Sequence, residues 1–279
     1  MKKEIILTTI STEENLVYYI TQDGVFPAIP LTINIDNLQS GDKLVRVWSE
    51  QQITFKENSR NDSLKAEGEL KKQAAKQEVP VALNEVRGGK LEIVCKANID
   101  PRVGDNMVIT SKTCVFKILG TQPNKEQVRS ALNLPYLWAV VYLKSQFMQF
   151  TKDGIPTFDK GWGMYRIENP SAIQIWSWKE NIASAKLDFE IRKKRVSEYP
   201  AQLRASNPEF YKKLPDFKEI QIELEALQSY GSGIYYIPRR STITRKWVWV
   251  RNPKDDGYAD KCLAILANVA QGKFPEGWN

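Results

Sequence analysis

The sequence contains no histidine. This absence excludes Ser-His-Asp and Cys-His catalysis and also histidine-ligated zinc, which leaves carboxylates and lysines as candidates for proton transfer. Cysteine is scarce too: Cys95, Cys114 and Cys262 are the three present, and their spacing is not that of a metal site. We interpret them as buried thiols, although Cys95 and Cys114 could face each other on strands. The sequence predicts no cofactor.

Long apolar runs are missing as well. No run of about 18 uncharged apolar residues occurs, so the sequence predicts no membrane span. The N-terminal stretch MKKEIILTTISTEEN begins with two lysines, but acidic residues interrupt its short apolar run, so we expect no signal peptide. The expected location is cytoplasmic as synthesised, and delivery to a periplasm would need a route other than Sec.

The positive charge is unevenly placed. Residues 1–120 carry 16 basic and 16 acidic side chains, so the net charge of +7 comes from residues 121–279. A basic second half favours a polyanionic partner, which could be nucleic acid, an acidic membrane surface or an anionic cell-wall polymer. A solvated basic surface with no specific partner is the alternative interpretation.

The pattern predicts two domains, all-β and then mainly α, in a chain of 279 residues. Residues 1–120 contain recurring β-prone runs separated by turn residues such as Asp23-Gly24 and Gly88-Gly89. This spacing predicts an Ig-like β-sandwich. A polar stretch at about 56–80, rich in Lys, Glu and Ala, predicts an exposed insertion that is partly disordered and partly helical.

Residues 121–279 predict a helical domain. Asn124 and Gln127 form a capping-box pattern, and apolar residues at helical spacing indicate a second helix at about 134–149. Asn169-Pro170 predicts the start of a long helix that ends at Pro200. We expect further helices from Asp216 and over about 257–271, with a hairpin or extended pair within 234–250.

An ordered series of short motifs in this second half resembles the lysozyme-like superfamily, particularly lytic-transglycosylase-like cell-wall muramidases. The carriers are KSQFMQF (144–150), DGIP (153–156), GWGMYRIENP (161–170), IWSWKENIA (175–183), YGSG (230–233) and DGYADK (256–261). Active relatives typically read E-S-x-F-x-Q-F, then G-Y-G-x-M-Q, then N-W-K-x-N and Y-N-x-G. The resemblance implies a lysozyme-like helical domain over about 121–279.

The chain departs from that pattern where the chemistry resides. Lys144 stands where the resemblance implies the catalytic glutamate, and an ammonium with a pKa near 10.4 does not readily protonate a glycosidic oxygen at neutral pH. Tyr165-Arg166 replaces the expected Met-Gln, and Gly231 replaces the asparagine after Tyr230. Frame residues persist, including Phe147, Gln149, Trp178 and Asn181. This combination is typical of a pseudoenzyme.

The resemblance therefore implies a catalytically degenerate protein that binds peptidoglycan glycan or a protein partner through a remnant cleft. It is compatible with an association with a bacterial secretion system, as a delivered effector, or with phage. The cleft predicted from the matching positions consists of Lys144, Gln149, Asp153, Trp162, Tyr165, Arg166 and Tyr230. Lys144 and Arg166 would make it cationic and suited to carboxylates, and Trp162 is the candidate for stacking on a sugar.

Two alternatives remain open. An active muramidase could use a relocated acid, for which Glu168 is the first candidate and Asp153 and Asp159 are the others. A nucleic-acid binder could use the interleaved basic and aromatic residues at about 235–247. We favour nucleic acid least, because the sequence contains no recognised motif for it.

Overall fold

The computed structural model describes residues 6–10, 16–38, 40–71, 76–100 and 108–278. The chain divides into two compact units, and each is assembled from several segments. The first unit comprises Met1–Pro123, Phe150–Phe158 and Pro170–Ser177. The second comprises Asn124–Gln149, Asp159–Asn169 and Trp178–Asn279.

The strands of the first unit are β1 (Ile6–Ile10), β2 (Val17–Ile20), β3 (Thr32–Asp36), β4 (Lys43–Glu57), β5 (Arg60–Glu69), β6 (Lys76–Glu78), β7 (Gly89–Asp100) and β8 (Val108–Gly120). Five of them form a mixed sheet in the order β2-β8-β7-β4-β5, in which β2 and β8 are parallel and the other pairs are antiparallel. The remaining three form an antiparallel sheet in the order β1-β3-β6.

The prediction of an Ig-like β-sandwich is wrong. An Ig-like domain pairs two antiparallel sheets of three or more strands each, whereas here the long strands β4, β5, β7 and β8 all join one open mixed sheet. The parallel pairing of β2 with β8 is also foreign to that fold. The cause of the error is that alternation predicts strands but does not say which strands are neighbours.

The predicted insertion at about 56–80 is wrong in character. The stretch SLKAEGE, interpreted as helical, lies in β5, which pairs with β4 from Trp48↔Glu69 to Glu57↔Arg60. Alternate residues of β5, such as Leu64 and Ala66, are partly covered while Lys65 and Glu67 are exposed. Pairing with an adjacent strand thus outweighs the helical preference of Lys, Glu and Ala. Residues 72–75 lie outside the described residues.

The helices are α1 (Lys125–Leu132), α2 (Pro135–Ser145), α3 (Ala172–Trp176), α4 (Trp178–Ser206), α5 (Pro208–Tyr211), α6 (Glu219–Gln228) and α7 (Tyr258–Ala270). A two-stranded antiparallel ribbon joins β9 (Tyr236–Arg240) and β10 (Trp247–Arg251) between α6 and α7. All of these elements except α3 belong to the second unit. No helix of the described residues is both long and apolar enough to cross a membrane.

Local sequence explains most helix ends. The side chain of Asn124 accepts hydrogen bonds from the backbone N–H groups of Glu126 and Gln127, as the capping pattern predicts. The long helix predicted from Asn169 is not continuous: Ser171 caps α3, the backbone becomes extended at Ser177, and α4 follows. Pro200 does not end α4 but lies within it.

The second unit has its own hydrophobic core, which brings α1, α2, α4, α6 and α7 together. Buried side chains from these helices pack with the loop after α2 and with the C-terminal Trp278, which is 1 % exposed. The Phe147 and Trp278 rings meet edge to face at 5.4 Å. This core fixes the end of α2, where the motif-bearing residues begin.

Candidate functional site

The glycine-bracketed motif GWGM forms a tight loop after α2. Trp162 and Ile167 exchange two backbone hydrogen bonds, with N···O distances of 2.8 and 3.1 Å, so residues 162–167 close on themselves. Two buried amide side chains hold this loop. Gln149 Oε1 accepts from the Met164 N–H at 3.1 Å, and Asn181 Oδ1 accepts from the Tyr165 N–H at 2.8 Å. Gln149 and Asn181 therefore have a structural task, which is to hold this loop.

Gly163 is required by this arrangement. Its φ of +73° lies in the left-handed region, and a Cβ at this position would lie 2.4 Å from Asn181 Nδ2 and 2.8 Å from Gln149 Oε1. Only glycine combines that backbone conformation with so close an approach. Gly161 is also closely approached, since a Cβ there would lie 2.3 Å from the Arg166 carbonyl oxygen.

Lys144 lies on the last turn of α2 and points at this loop. Its Nζ donates to the Tyr165 carbonyl oxygen at 3.1 Å. The same ammonium lies 4.2 Å from the centroid of the Tyr165 ring and 5.3 Å from that of Tyr230. Two aromatic faces and a carbonyl group therefore enclose the charge at the position where the resemblance implies an acid.

An ion pair from α4 completes this polar cluster. Asp188 accepts a hydrogen bond from the Tyr165 hydroxyl and another from Arg192 Nε at 2.7 Å. The Tyr165 and Tyr230 hydroxyl oxygens are 2.9 Å apart, and the Arg192 guanidinium lies 4.1 Å from the Tyr230 ring centroid. We call Lys144, Tyr165, Asp188, Arg192 and Tyr230 the lysine–tyrosine cluster.

The electrostatics of the cluster follow from burial and from these partners. Burial, reinforced by the nearby Arg192 charge, lowers the pKa of Lys144 to about 8. Burial alone would raise the pKa of Asp188, but hydrogen bonds from Tyr165 and Arg192 outweigh it and hold that pKa below its ordinary value. Burial raises the pKa of both tyrosine hydroxyls. At neutral pH the cluster therefore contains two cations, one carboxylate and two neutral phenols.

Arg166 lies beside Lys144 and is only partly covered. Its backbone has a φ of +59°, and its Nε donates to the Lys144 carbonyl oxygen at 3.2 Å. The second guanidinium nitrogen, Nη1, is buried and has no hydrogen-bond partner among the described residues. A buried guanidinium nitrogen without an acceptor is costly, so an anion that gained access to Nη1 on binding would satisfy it.

The structure places the predicted cleft residues in different surroundings. Gln149, Trp162 and Tyr165 are buried, at 0 %, 4 % and 5 % exposure, so the Trp162 ring does not offer an open face to a sugar. Arg166 and Tyr230 are partly exposed. Asp153 is exposed and belongs to the first unit, whereas the other six residues belong to the second.

The alternative acids are on the surface. Glu168 and Asp159 are both exposed, and neither lies in the partly apolar pocket that raises the pKa of a glycosidase acid. A buried carboxyl group does occur elsewhere in the second unit, at Glu225 on α6, which is 5 % exposed. Burial raises its pKa to about 7, against the effect of hydrogen bonds from the Tyr236 and Tyr235 backbone.

Sequence reasoning missed Asp188 and Arg192. Their spacing of four residues is that of an ion pair on one helix face. They also border the apolar stripe that includes Phe189, which is 2 % exposed. In the sequence, a pair of opposite charges next to an apolar stripe was the one indication that these residues make a buried polar contact.

No group of three or more His, Cys, Asp or Glu residues that could hold a metal ion occurs within the described part of the chain. Cys95 and Cys262 are buried, Cys114 is partly buried, and all three are free thiols. Comparison of the chain with protein-family models, with curated proteins and with solved structures gave no match.

Proposed function

We propose that this protein is a non-catalytic relative of cell-wall muramidases that binds peptidoglycan without cleaving it. The observation that carries the proposal is the position of Lys144. Its ammonium, enclosed by the Tyr165 and Tyr230 rings, occupies the place that the motif series assigns to the general acid. Glycosidic cleavage by this route needs a carboxylic acid at that place.

The surrounding polar contacts support loss of the catalytic acid rather than its relocation to another residue of the cluster. Asp188 is the one carboxylate of the cluster, and its hydrogen bonds from Tyr165 and Arg192 keep it ionised. An ionised carboxylate held by an arginine does not serve as a proton donor at neutral pH. The lysine–tyrosine cluster therefore stabilises the fold at the former position of the reaction.

Charge supports an anionic ligand. The basic excess of the whole chain falls within residues 121–279. Arg166 donates from Nε to the Lys144 carbonyl oxygen, and its Nη1 has no acceptor among the described residues. The peptide stems of peptidoglycan carry carboxylates, which form charge-assisted hydrogen bonds with a guanidinium. Acidic side chains of a protein partner would meet the same group, so a protein ligand is the alternative occupant.

Sedimentation with purified peptidoglycan sacculi tests the proposal, with two readouts: protein in the pellet and soluble muropeptides released. We expect binding without release. Arg166→Gln should weaken binding at least about tenfold, because a charge-assisted hydrogen bond is lost. Arg195→Gln is the matched control, since Arg195 is an exposed arginine on α4.

Three outcomes would change the conclusion. Release of muropeptides by the native protein would overturn it and make Glu168→Gln the next variant. Equal binding by the Arg166→Gln and Arg195→Gln variants would remove Arg166 from the site. Absence of sedimentation with sacculi would reject the glycan and leave an acidic protein partner as the ligand.

A further inference from the structure

The ribbon formed by β9 and β10 carries an uncompensated positive charge. Four cations lie at its distal end and are all exposed: Arg239, Arg240, Arg245 and Lys246. Residues 234–251 contain no aspartate or glutamate, and none of the four forms a salt bridge with the part of the chain that the structure describes. The distal end is therefore a compact basic surface, to which we refer as the basic tip.

An apolar side chain projects from the basic tip. Ile243, in the turn between the two strands, is 91 % exposed, the highest value among the exposed large hydrophobic residues. On the strands, Val248 is 37 % exposed and lies directly opposite Arg239, so an apolar and a cationic side chain share one face of the ribbon. A solvent-exposed isoleucine between cations has no role in the core.

The other face of the ribbon is anchored to the second unit by its aromatic residues. The Trp247 ring contacts Phe210 at 4.9 Å and Tyr211 at 5.3 Å between centroids. Trp249 lies 4.3 Å from Phe217, and its Nε1 donates to the Pro215 carbonyl oxygen at 2.9 Å. The ribbon is thus a supported element that presents its turn outward.

The turn itself is ordered by its own hydrogen bonds. The Ser241 N–H donates to the Lys246 carbonyl oxygen at 2.8 Å, and the Arg245 N–H donates to the Ser241 carbonyl oxygen at 3.0 Å. Arg240 Nε also donates to the Arg245 carbonyl oxygen at 3.0 Å. Because the backbone is fixed in this way, Ile243 is presented to a partner without prior ordering of the turn.

We propose that the basic tip binds the surface of an anionic lipid bilayer. Cations near such a surface are attracted by the negative potential of the headgroups, and an exposed apolar side chain at the centre of the contact enters the boundary between headgroups and acyl chains. The basic tip has both components at one site. This contact places the protein on a membrane without spanning it.

Nucleic acid is the other polyanion that a basic and aromatic stretch could bind. Binding of single strands uses aromatic faces on which bases stack, but the rings of Trp247 and Trp249 are engaged with Phe210, Tyr211 and Phe217. An isoleucine at 91 % exposure contributes nothing to phosphate contacts. The observations therefore favour the lipid surface.

Co-sedimentation of the full chain with vesicles tests the proposal, with phosphatidylcholine vesicles compared with vesicles that also contain phosphatidylglycerol. We expect binding only to the anionic vesicles. Arg239→Gln combined with Lys246→Gln should lower the partition coefficient by about fivefold for each cation removed. Ile243→Ser should lower it by about tenfold at unchanged charge.

The matched control is Lys194→Gln combined with Arg195→Gln, which removes two exposed cations from α4 and should leave partition within about twofold of wild type. Equal losses in the control and tip variants would overturn the proposal, because they would reflect net charge alone. So would an Ile243→Ser variant that binds like wild type, or binding that duplex or single-stranded DNA displaces while Ile243→Ser has no effect. Because this test uses vesicles and the basic tip, its failure is distinguishable from a failure to bind sacculi.

Discussion

Lys144 and Tyr165 contact each other twice: the Lys144 ammonium donates to the Tyr165 carbonyl oxygen and also lies 4.2 Å from the centroid of its ring. A single lysine thus binds both the backbone and the side chain of the residue that follows the glycine-bracketed motif. Replacement of Lys144 by glutamate would remove both contacts. Lys144 thus adds to the contacts by which Gln149 and Asn181 hold the loop.

Stability should respond to pH through Lys144. The folded pKa is about 8 and the ordinary value is 10.5, so between these values the unfolded chain binds a proton that the folded chain does not. Stability attributable to Lys144 therefore rises with pH across this window, by about 3 kcal/mol in total. In urea titrations from pH 8 to pH 10, the unfolding free energy of wild type should increase relative to that of Lys144→Met. Lys194→Met, at an exposed position on α4, is the control variant.

Removal of the Tyr165 hydroxyl should destabilise the fold by about 1–2 kcal/mol at pH 7, because Asp188 loses a hydrogen-bond donor. Asp188 has a lowered pKa in the fold, so its contribution is present above the ordinary carboxyl range and is lost as the pH falls through the folded pKa. The deficit of Tyr165→Phe should consequently shrink in acid. Tyr19→Phe, at a side chain that is 54 % exposed, should cost little at any pH. A pH-independent deficit would contradict the assigned contact.

Glu225 should oppose stability above neutral pH. Its folded pKa of about 7 exceeds the ordinary 4.5, so its favourable contribution is complete below pH 4.5 and is lost as the pH rises through 7. Glu225→Gln retains an acceptor for the Tyr236 N–H and should be more stable than wild type at pH 8, by about 3 kcal/mol. The exposed Glu198 on α4 provides the control Glu198→Gln. Parallel pH profiles for wild type and Glu225→Gln would refute the prediction.

Alanine substitutions at two glycines of equal φ should distinguish the cost of backbone strain from the cost of disturbed packing. Gly163 and Gly272 both have φ of +73°, but a Cβ at Gly272 has nothing within 4 Å, whereas one at Gly163 meets Asn181 and Gln149. Gly272→Ala should cost about 1 kcal/mol for the left-handed backbone. Gly163→Ala should cost at least about 3 kcal/mol, because it also displaces buried hydrogen-bonded amides. Thermal or urea unfolding measures both, and equal costs would show that Gly163 is retained for its backbone conformation only.

Local signals in the sequence predicted much of the second unit. The Asn124 cap, the helix ending near Lys144 and the β9–β10 ribbon each rest on contacts within a few residues, which a sequence pattern records directly. The break at Ser177 and the continuation of α4 through Pro200 depend on packing of the whole helix. The residues next to these positions in sequence do not indicate that packing.

The sheet and the interior of the site were less accessible to prediction. The composition of β5 favours a helix. It forms a strand because it pairs with β4, in which Trp48, distant in sequence, lies opposite Glu69. Lys144 is enclosed by Tyr165, whose hydroxyl donates to Asp188 of α4, and Asp188 also accepts from Arg192. These contacts form only after the helices pack. The peptidoglycan function stays a prediction that the sacculus experiment decides.

Because the first unit consists of three separate segments, it does not correspond to one continuous fragment of the chain. Phe55 on β4 packs edge to face against Trp176 at 5.0 Å, and a Cβ at Gly88 would overlap the same indole ring. Trp176 arrives from a part of the chain that follows α1 and α2. A fragment ending at residue 123 would lack this ring and leave Phe55 uncovered, so expression of the β unit alone should yield aggregating material. A fragment that contains the whole β unit would also need residues 150–158 and 170–177, connected to residues 1–123 in a permuted or relinked chain.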